Sequence, residues 1–172
     1  MTESTATFKP HWHKRFLCLA AHIAQWSRDP EKKVGAVIVR PDKTIASLGF
    51  NGFPRGVEDT DARYQDKALK RELVTHAEVN AILHAHEPLT GHTLYIWPLA
   101  PCVRCAATII QSGISHVVTM PLKPDSNWHS TLDLAHTMFR EAGITMTFID
   151  EEIRMPELFV EGSADDILPA SG

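Results

Sequence analysis

The chain has 172 residues, 44% hydrophobic and 22% charged, which suits one globular domain with a sizeable core. Its formal net charge of -4 excludes the basic surface expected of a protein that binds a long polyanion. The same charge leaves room for a mononucleotide, because one phosphate needs only one or two well-placed cations or helix-end amides.

Neither a membrane span nor a secretory signal is visible in the sequence. No stretch approaches the roughly 18 apolar residues that a membrane helix requires, and the N-terminal MTESTATFK lacks a basic region followed by an apolar one. The cysteines Cys18, Cys102 and Cys105 cannot form a disulfide framework. The sequence therefore favours a reducing, cytoplasmic compartment.

The first part of the chain predicts one helix and a pair of strands. Apolar residues recur in steps of three and four over 12–27 and indicate an amphipathic helix, which would end at Asp29, before a proline. Two apolar runs at 34–39 and 44–50 are typical of strands that pair through a tight turn. The charged stretch from 51 to about 73, which begins with NGFPRG, is interpreted as a loop.

The rest of the chain alternates helices with strands. Its predicted elements are helices at 76–86 and 102–112, a helix marked by Leu132, Ala135, Phe139 and Ala142, and strands at 92–97, 115–120 and 144–149. Gly113 and Gly143 would end two of these helices. Strands that follow helices are expected to run parallel, so the sequence predicts an α/β fold, a three-layer α/β/α sandwich around a five-stranded mixed sheet. Residues 12–149 would form this domain, between a flexible tail at 1–11 and a second tail at 150–172.

Three side chains that can bind a metal fall at the starts of two predicted helices. His76 opens the helix before the third strand, and Cys102 and Cys105 open the helix after it. Helices that flank one strand can bring their N-termini to a common point. A His/Cys/Cys set suits zinc, and three protein ligands leave a fourth position open, as in catalytic zinc sites.

Glu78 follows His76 by two positions, so it points to a different side of the helix and cannot easily share the ligand's direction. Zinc lowers the pKa of bound water from about 15.7 to roughly 7. A carboxylate beside that water can take its proton and return it to a substrate nitrogen. Proton transfer between a hydroxide nucleophile and a leaving amine is what hydrolytic deamination requires.

Two other interpretations of the cysteine pair stay open at this point. C-x-x-C alone is also typical of thioredoxin-like redox proteins, although that function leaves His76 and Glu78 unexplained. A purely structural zinc site would need a fourth protein ligand, which His84, His86 or His92 could supply.

The order H-A-E followed by P-C-x-x-C is the signature of zinc nucleobase deaminases. The chain further resembles the deoxycytidylate (dCMP) deaminase branch of the cytidine deaminase-like superfamily in SRDPEKKVGAVIV (27–39), GFNGFPRG (49–56), HAEVNAI (76–82) and PCVRCAATIIQSGI (101–114). The resemblance implies zinc bound by His76, Cys102 and Cys105. It also implies that Glu78 is the catalytic proton shuttle in the hydrolysis of dCMP to dUMP and ammonia.

Candidate substrate contacts also follow from the resemblance. The backbone amide of Ala77 would hold the pyrimidine O2, and Asn51 would reach the 3′ hydroxyl, unless Asn51 is a turn residue with a left-handed backbone. Arg28 and Arg55 lie in loops and are candidates for the phosphate, or are simply solvated. Trp128 would cover the base or sugar, or would belong to the core beside the last helix.

Some features of the sequence leave alternatives to this function. Trp97 stands where the family often has a threonine and would reshape the wall near the base. A modified-base nucleotide, a free nucleoside or a tRNA adenosine is therefore an alternative substrate, and a non-catalytic zinc-stabilised binding module is a further possibility. Glu87 would repel phosphate, which argues against regulation by deoxynucleoside triphosphates. The resemblance suggests a homo-oligomer, either a dimer or a hexamer.

Overall fold

The computed structural model of the chain describes residues 8–122, 129–151 and 153. In chain order these residues form α1 (Pro10–Ala24), β1 (Gly35–Val39), β2 (Ile45–Phe50), α2 (Asp61–Gln65), α3 (Lys67–Leu73), α4 (Ala77–Leu83), β3 (Thr93–Trp97), α5 (Val103–Gln111), β4 (His116–Thr119), α6 (His129–Glu141) and β5 (Thr145–Phe148). The α/β class predicted from the sequence is confirmed.

The strands form one mixed, five-stranded sheet in the order β2-β1-β3-β4-β5. β1 is antiparallel to both β2 and β3, whereas β3, β4 and β5 run parallel to one another. The predicted pairing of the first two strands and the parallel direction of the later ones are both confirmed. Because β3 and β4 are parallel, the segments that leave their carboxyl ends lie at the same edge of the sheet.

Alternate residues of β1 enter two separate cores, one on each face of the sheet. Ala36 and Ile38 pack in a cluster with α4, α5 and α6, and Val37 and Val39 pack in a cluster with α1. All four side chains are fully buried. Helices therefore cover both faces, which explains why this strand has no polar positions in the sequence.

The segment predicted as a loop between 51 and 73 contains two helices, α2 and α3, so that prediction is wrong for 61–73. Asp66 caps α3, accepting hydrogen bonds from the amides of Ala68 and Leu69 at 3.1 Å each. Tyr64 of α2 is buried and stacks on Phe53 with 4.4 Å between ring centroids. Both helices are too short for a clear apolar period, and tertiary contacts of this kind stabilise them.

Some helices end where the sequence predicts, and others begin or end elsewhere. Gly113 and Gly143 follow α5 and α6 with φ of 83° and 74°, the left-handed conformation that glycine adopts easily at a helix end. α1 runs from Pro10 to Ala24, earlier than predicted at both ends, and Phe8 is buried against it.

The predicted tails lie largely outside the described residues, so the proposed domain limits stay a prediction. Among the described residues, no helix has the length and apolarity needed to cross a lipid bilayer.

Candidate active site

The structure brings together the three side chains that the sequence predicts as metal ligands. His76 is the N-cap residue of α4, Cys102 is the N-cap residue of α5, and Cys105 lies in the first turn of α5. The Nδ1 atom of His76 is 3.2 Å from the Sγ atom of Cys105 and 3.6 Å from that of Cys102. The three ligand atoms lie within 4.8 Å of one another, and we call this group the metal cluster.

The metal cluster fits a zinc ion in chemistry and in spacing. Bonds of about 2.3 Å to sulfur and 2.0–2.1 Å to nitrogen, at a tetrahedral angle, separate nitrogen from sulfur by about 3.6 Å. The two observed separations, 3.2 and 3.6 Å, are close to this value. Two thiolates and one neutral imidazole would also balance the charge of the ion, which makes its burial less costly.

No fourth histidine, cysteine or carboxylate joins the metal cluster among the residues that the structure describes. Of the histidines that might have completed a structural site, His84 contacts Arg55 and His92 contacts Glu87, while His86 is also outside the cluster. The described part of the chain therefore supplies three ligands, which is the number that leaves one coordination position for water or substrate.

The side chains of the metal cluster shift one another's pKa values. Hydrogen bonding from Cys105, followed by that from His76, lowers the pKa of the Cys102 thiol to about 3. The interaction with Cys102, together with burial, raises the pKa of Cys105. The hydrogen bond to Cys102 raises the pKa of His76. A divalent cation would bind both sulfurs as thiolates and displace their protons.

Glu78 lies beside the metal cluster, in the first turn of α4, and only 4% of its surface is exposed. Burial raises the pKa of its carboxyl group, because the charged form is poorly solvated there. The carboxyl group is within hydrogen-bonding reach of the Cys105 thiol. Glu78 is thus placed to exchange protons with a molecule held next to the metal ligands.

Close packing between α4 and β2 fixes the position of this helix. Gly49 has no side chain, and a Cβ atom there would overlap backbone atoms of Ala77 and Ala81. The side-chain amide of Asn80 donates a hydrogen bond of 2.7 Å to the carbonyl of Phe50. The start of α4 therefore has little freedom to move relative to the sheet.

His76 and Cys102 of the metal cluster, together with Glu78, line a cavity of about 240 Å³. Its lining residues are Asp29, Glu31, Lys32, Val34, Asn51, Lys67, Lys70, Arg71, Val74, His76, Ala77, Glu78, Leu99, Ala100, Pro101, Cys102, Leu122, Thr131 and Leu132. We call the charged residues of this lining other than Glu78 and the metal ligands the charged wall: Asp29, Glu31, Lys32, Lys67, Lys70 and Arg71.

Asn51 and Ala77, two of the predicted substrate contacts, line this cavity. Asn51 is 5% exposed, and its side chain accepts a hydrogen bond from the amide of Val34 and donates one to the carbonyl of Lys32, both at 2.8 Å. Lys43 is the single non-glycine residue with a positive φ in the described part of the chain, so a left-handed Asn51 is excluded. Asn51 instead braces the loop before β1 with its side chain.

Neither of the arginines predicted to meet the phosphate lines the cavity. Arg28 donates to the carbonyl of Asp59 at 2.9 Å and to the carboxylate of Asp61 at 3.1 Å. Arg55 lies 2.7 Å from the imidazole of His84. Their roles as phosphate ligands stay a prediction, without support from the shape of the site.

The two tryptophans considered for the base pocket have different outcomes. Trp97 packs against the core cluster on the α1 side of the sheet and is not among the cavity residues, so the expected change to the wall near the base is wrong. Leu99, Ala100 and Pro101, which follow it in the chain, do line the cavity. Trp128 lies outside the described residues.

The charged wall is the part of the site that the sequence did not predict. Lys67, Lys70 and Arg71 come from α3, with the spacing that places them on one helix face. Lys70 is 7% exposed, and its Nζ atom lies 3.1 Å from the Oδ1 atom of Asp29 and 3.2 Å from the Oε2 atom of Glu31. The available signal was a capping aspartate followed by basic residues at helical spacing.

Comparison with known proteins matches this chain to a family. Residues 10–121 match the family described as the cytidine and deoxycytidylate deaminase zinc-binding region. A protein of Aliivibrio fischeri named "Uncharacterized deaminase in luxG 3'region" is 40% identical over 144 residues, which are 83% of this chain and 96% of that protein. The deoxycytidylate deaminase of Homo sapiens is 36% identical over 140 residues, 78% of this chain and 77% of the human one.

A solved structure also shares the fold. The dCMP deaminase from the cyanophage S-TIM5, crystallised with dCMP and dUMP, superposes with a TM-score of 0.65 at 23% sequence identity. The match covers 83% of this chain and all of the phage chain. At this level of identity the similarity shows a common architecture.

Proposed function

The chain belongs to the cytidine and deoxycytidylate deaminase zinc-binding family, and from this premise we propose that it converts dCMP to dUMP and ammonia. It is a zinc-dependent deaminase, with His76, Cys102 and Cys105 as its zinc site. The choice of a cytosine mononucleotide is our proposal. The observation that carries it is a single cavity lined both by His76, Cys102 and Glu78 and by the charged wall.

The proposed reaction replaces the 4-amino group of cytosine with an oxygen from water. When bound, zinc would act as a Lewis acid that lowers the pKa of a water molecule, and so would supply a nucleophile for C4 at neutral pH. Glu78 takes a proton from the attacking water and delivers it to N3. It then transfers the second proton of that water to the amine, the bond from C4 to nitrogen breaks, and ammonia leaves.

Other residues at the floor of the cavity would orient the base and sugar. The amide of Ala77 lies in the first turn of α4, where backbone N–H groups have no acceptor within the helix, and we assign it to the pyrimidine O2. Asn51 retains one amide hydrogen and one oxygen lone pair beyond its two bonds to the backbone, and we assign these to the 3′ hydroxyl.

The charged wall supports a nucleotide over a free nucleoside. Four of its six residues are cations, from the loop after α1 and from α3. An uncharged nucleoside would leave these cations without a partner from the substrate, whereas a phosphate would accept charge-assisted hydrogen bonds from them. Relatives named deoxycytidylate deaminase support dCMP within this class.

Alternative substrates are less well supported. A tRNA enzyme needs a basic surface for the polynucleotide, and this chain has a net charge of -4. Family membership sets aside the non-catalytic module. A homo-oligomer stays a prediction.

Ammonia release from a panel of cytosine compounds tests the proposal. Zinc-loaded protein is expected to deaminate dCMP with a kcat/KM at least about tenfold above that for deoxycytidine, because a charge-assisted hydrogen bond to phosphate is worth roughly 1.5–3 kcal/mol. A 5-substituted dCMP and adenosine complete the panel. Equal rates for dCMP and deoxycytidine would remove the case for phosphate recognition, and turnover of adenosine alone would show another substrate class.

A further inference from the structure

Glu31 is an acidic residue in a wall that otherwise suits a phosphate. Its Oε1 atom is 2.8 Å from the Nζ atom of Lys67, and its Oε2 atom is 3.2 Å from that of Lys70. The hydrogen bond from Lys67, followed by that from Lys70, lowers the pKa of the Glu31 carboxyl group, so it stays ionised at neutral pH. A nucleotide phosphate that enters the cavity must share these ammonium groups with a carboxylate.

Asp29, the other acid of the charged wall, has a different role. It is 3% exposed, and its Oδ1 atom accepts hydrogen bonds from the amides of Glu31 and Lys32 at 2.9 and 3.0 Å and from Lys70. Asp29 therefore holds the shape of its loop. The side chain of Glu31 is 44% exposed, and its two lysines are its ion-pair partners among the described residues. Asp29 thus makes the side-chain hydrogen bonds to the loop amides, whereas Glu31 contributes ion pairs to α3.

The charges of the wall match one phosphate group. Four cations and two carboxylates give the charged wall a net charge of +2. A phosphate monoester carries about -1.5 to -2 at pH 7, so it neutralises the wall. A diphosphate or triphosphate carries more negative charge and meets the ionised Glu31 without a further cation among the lining residues that the structure describes.

We propose that Glu31 determines the phosphate specificity of this site. It pairs with Lys67 before substrate binds, gives up that ammonium group to a monophosphate, and repels longer phosphate chains. This inference rests on the proposed function, because it requires a nucleotide phosphate at the charged wall. Like charges in partly exposed positions act over several ångström and are screened by salt, so the discrimination is strongest at low ionic strength.

The direct test is Glu31→Gln, which removes the charge and keeps the shape of the side chain. Lys70 retains Asp29 as a partner in this variant. Binding of deoxyuridine, dUMP, dUDP and dUTP to the zinc-loaded protein would be measured by calorimetry at low and high salt, which does not depend on turnover. We expect E31Q to bind dUMP about threefold more tightly and dUTP about tenfold more tightly, with deoxyuridine unchanged and both gains shrinking at high salt.

Glu58→Gln is the matched control, because Glu58 forms an ion pair with Arg63 at 2.9 Å and does not line the cavity. It changes the net charge by the same amount and should leave all four affinities unchanged. Lys67→Met should weaken the binding of dUMP by about tenfold and leave the binding of deoxyuridine unchanged, since it removes one charge-assisted hydrogen bond to the phosphate.

The outcomes separate this inference from the proposed function. If the wild type deaminates dCMP but E31Q and E58Q show the same ratio of dUTP to dUMP affinity, the role of Glu31 is overturned and the proposed function stands. If the wild type neither deaminates dCMP nor binds dUMP, both are overturned. A gain for dUTP in E31Q that exceeds the gain for dUMP, together with unchanged deoxyuridine binding, supports the inference.

Discussion

The metal cluster, through His76 and Cys102, and the charged wall line the same cavity, but different interactions hold them in place. The ligands of the metal cluster sit at the starts of α4 and α5, and backbone contacts press α4 onto β2. The charged wall joins the loop after α1 to α3, segments about 40 residues apart in sequence, through ion pairs. Backbone packing fixes the positions of the metal ligands. The ion pairs of the charged wall set the charge that a substrate meets. Mutations should therefore separate chemistry from substrate selection.

The largest expected effect is at the metal side of the cavity. Glu78→Gln removes the proposed proton shuttle, so kcat with dCMP should fall by about 10²–10⁴-fold, the usual contribution of general acid–base catalysis. Metal analysis should show that zinc is retained, because Glu78 is not one of the three ligands. Glu58→Gln, at a residue that does not line the cavity, should keep the wild-type rate. A Glu78→Gln protein with more than a tenth of the wild-type kcat would contradict the assigned role.

Two lysines of the charged wall should differ in their contribution to the free energy of unfolding, because Lys70 is buried and Lys67 is exposed. Lys70→Met leaves the buried carboxylate of Asp29 without its cation, and the free energy of unfolding should fall by about 3 kcal/mol. Lys67→Met breaks a more exposed pair, in which the lysine side chain is 66% exposed, and should change that free energy little. Urea denaturation of both variants measures the difference. Equal stabilities would mean that the Asp29–Lys70 pair does not hold the wall.

A smaller effect is expected where α4 meets β2. Gly49→Ala places a methyl group against backbone atoms of α4, and such overpacking typically lowers the free energy of unfolding by about 1–3 kcal/mol. Because the shift moves the metal ligand on α4, kcat should fall as well. Gly52→Ala is the control, since a Cβ atom there meets nothing within 4 Å. If Gly49→Ala keeps both the stability and the rate of Gly52→Ala, close packing does not position the metal side.

The smallest expected effect lies on the other face of the sheet, away from the zinc site. Burial, with the nearby charge of His13, lowers the pKa of His116 to about 4, and its Nε2 atom lies 2.8 Å from the hydroxyl of Thr147. The unfolded chain, with an ordinary histidine pKa near 6.5, then binds more protons than the folded one. Stability should therefore fall as the pH falls from about 6.5 to about 4.

His116→Gln should remove about 1–2 kcal/mol of this pH dependence, a value reduced for the partial exposure of the ring. Thermal unfolding of the zinc-free wild type and variant across this pH range isolates the effect, since the titration of the metal ligands is common to both. Parallel curves for the two proteins would show that His116 is not the source.

The sequence was most informative where one local pattern decides the structure. The apolar run of β1, the glycines after α5 and α6, and the spacing of His76 from the two cysteines each predicted their structural role correctly. These features depend on few other residues, so a single sequence contains enough information to identify them.

Predictions failed where distant residues decide the structure. α3 is short and highly charged, and the contacts of Lys70 with Asp29 and Glu31 that hold it become visible only in three dimensions. Trp97 alternates to the α1 side of the sheet, which its position before the zinc cysteines does not reveal.

X-ray absorption at the zinc edge tests the central claim most directly. The purified protein should hold one zinc ion per chain, with two sulfur neighbours at about 2.3 Å and two nitrogen or oxygen neighbours at about 2.0–2.1 Å. The sulfurs are Cys102 and Cys105, one light neighbour is His76, and the other belongs to the exchangeable position that catalysis needs. A spectrum that shows a second histidine as the fourth ligand, or a protein that binds no zinc, would contradict this account.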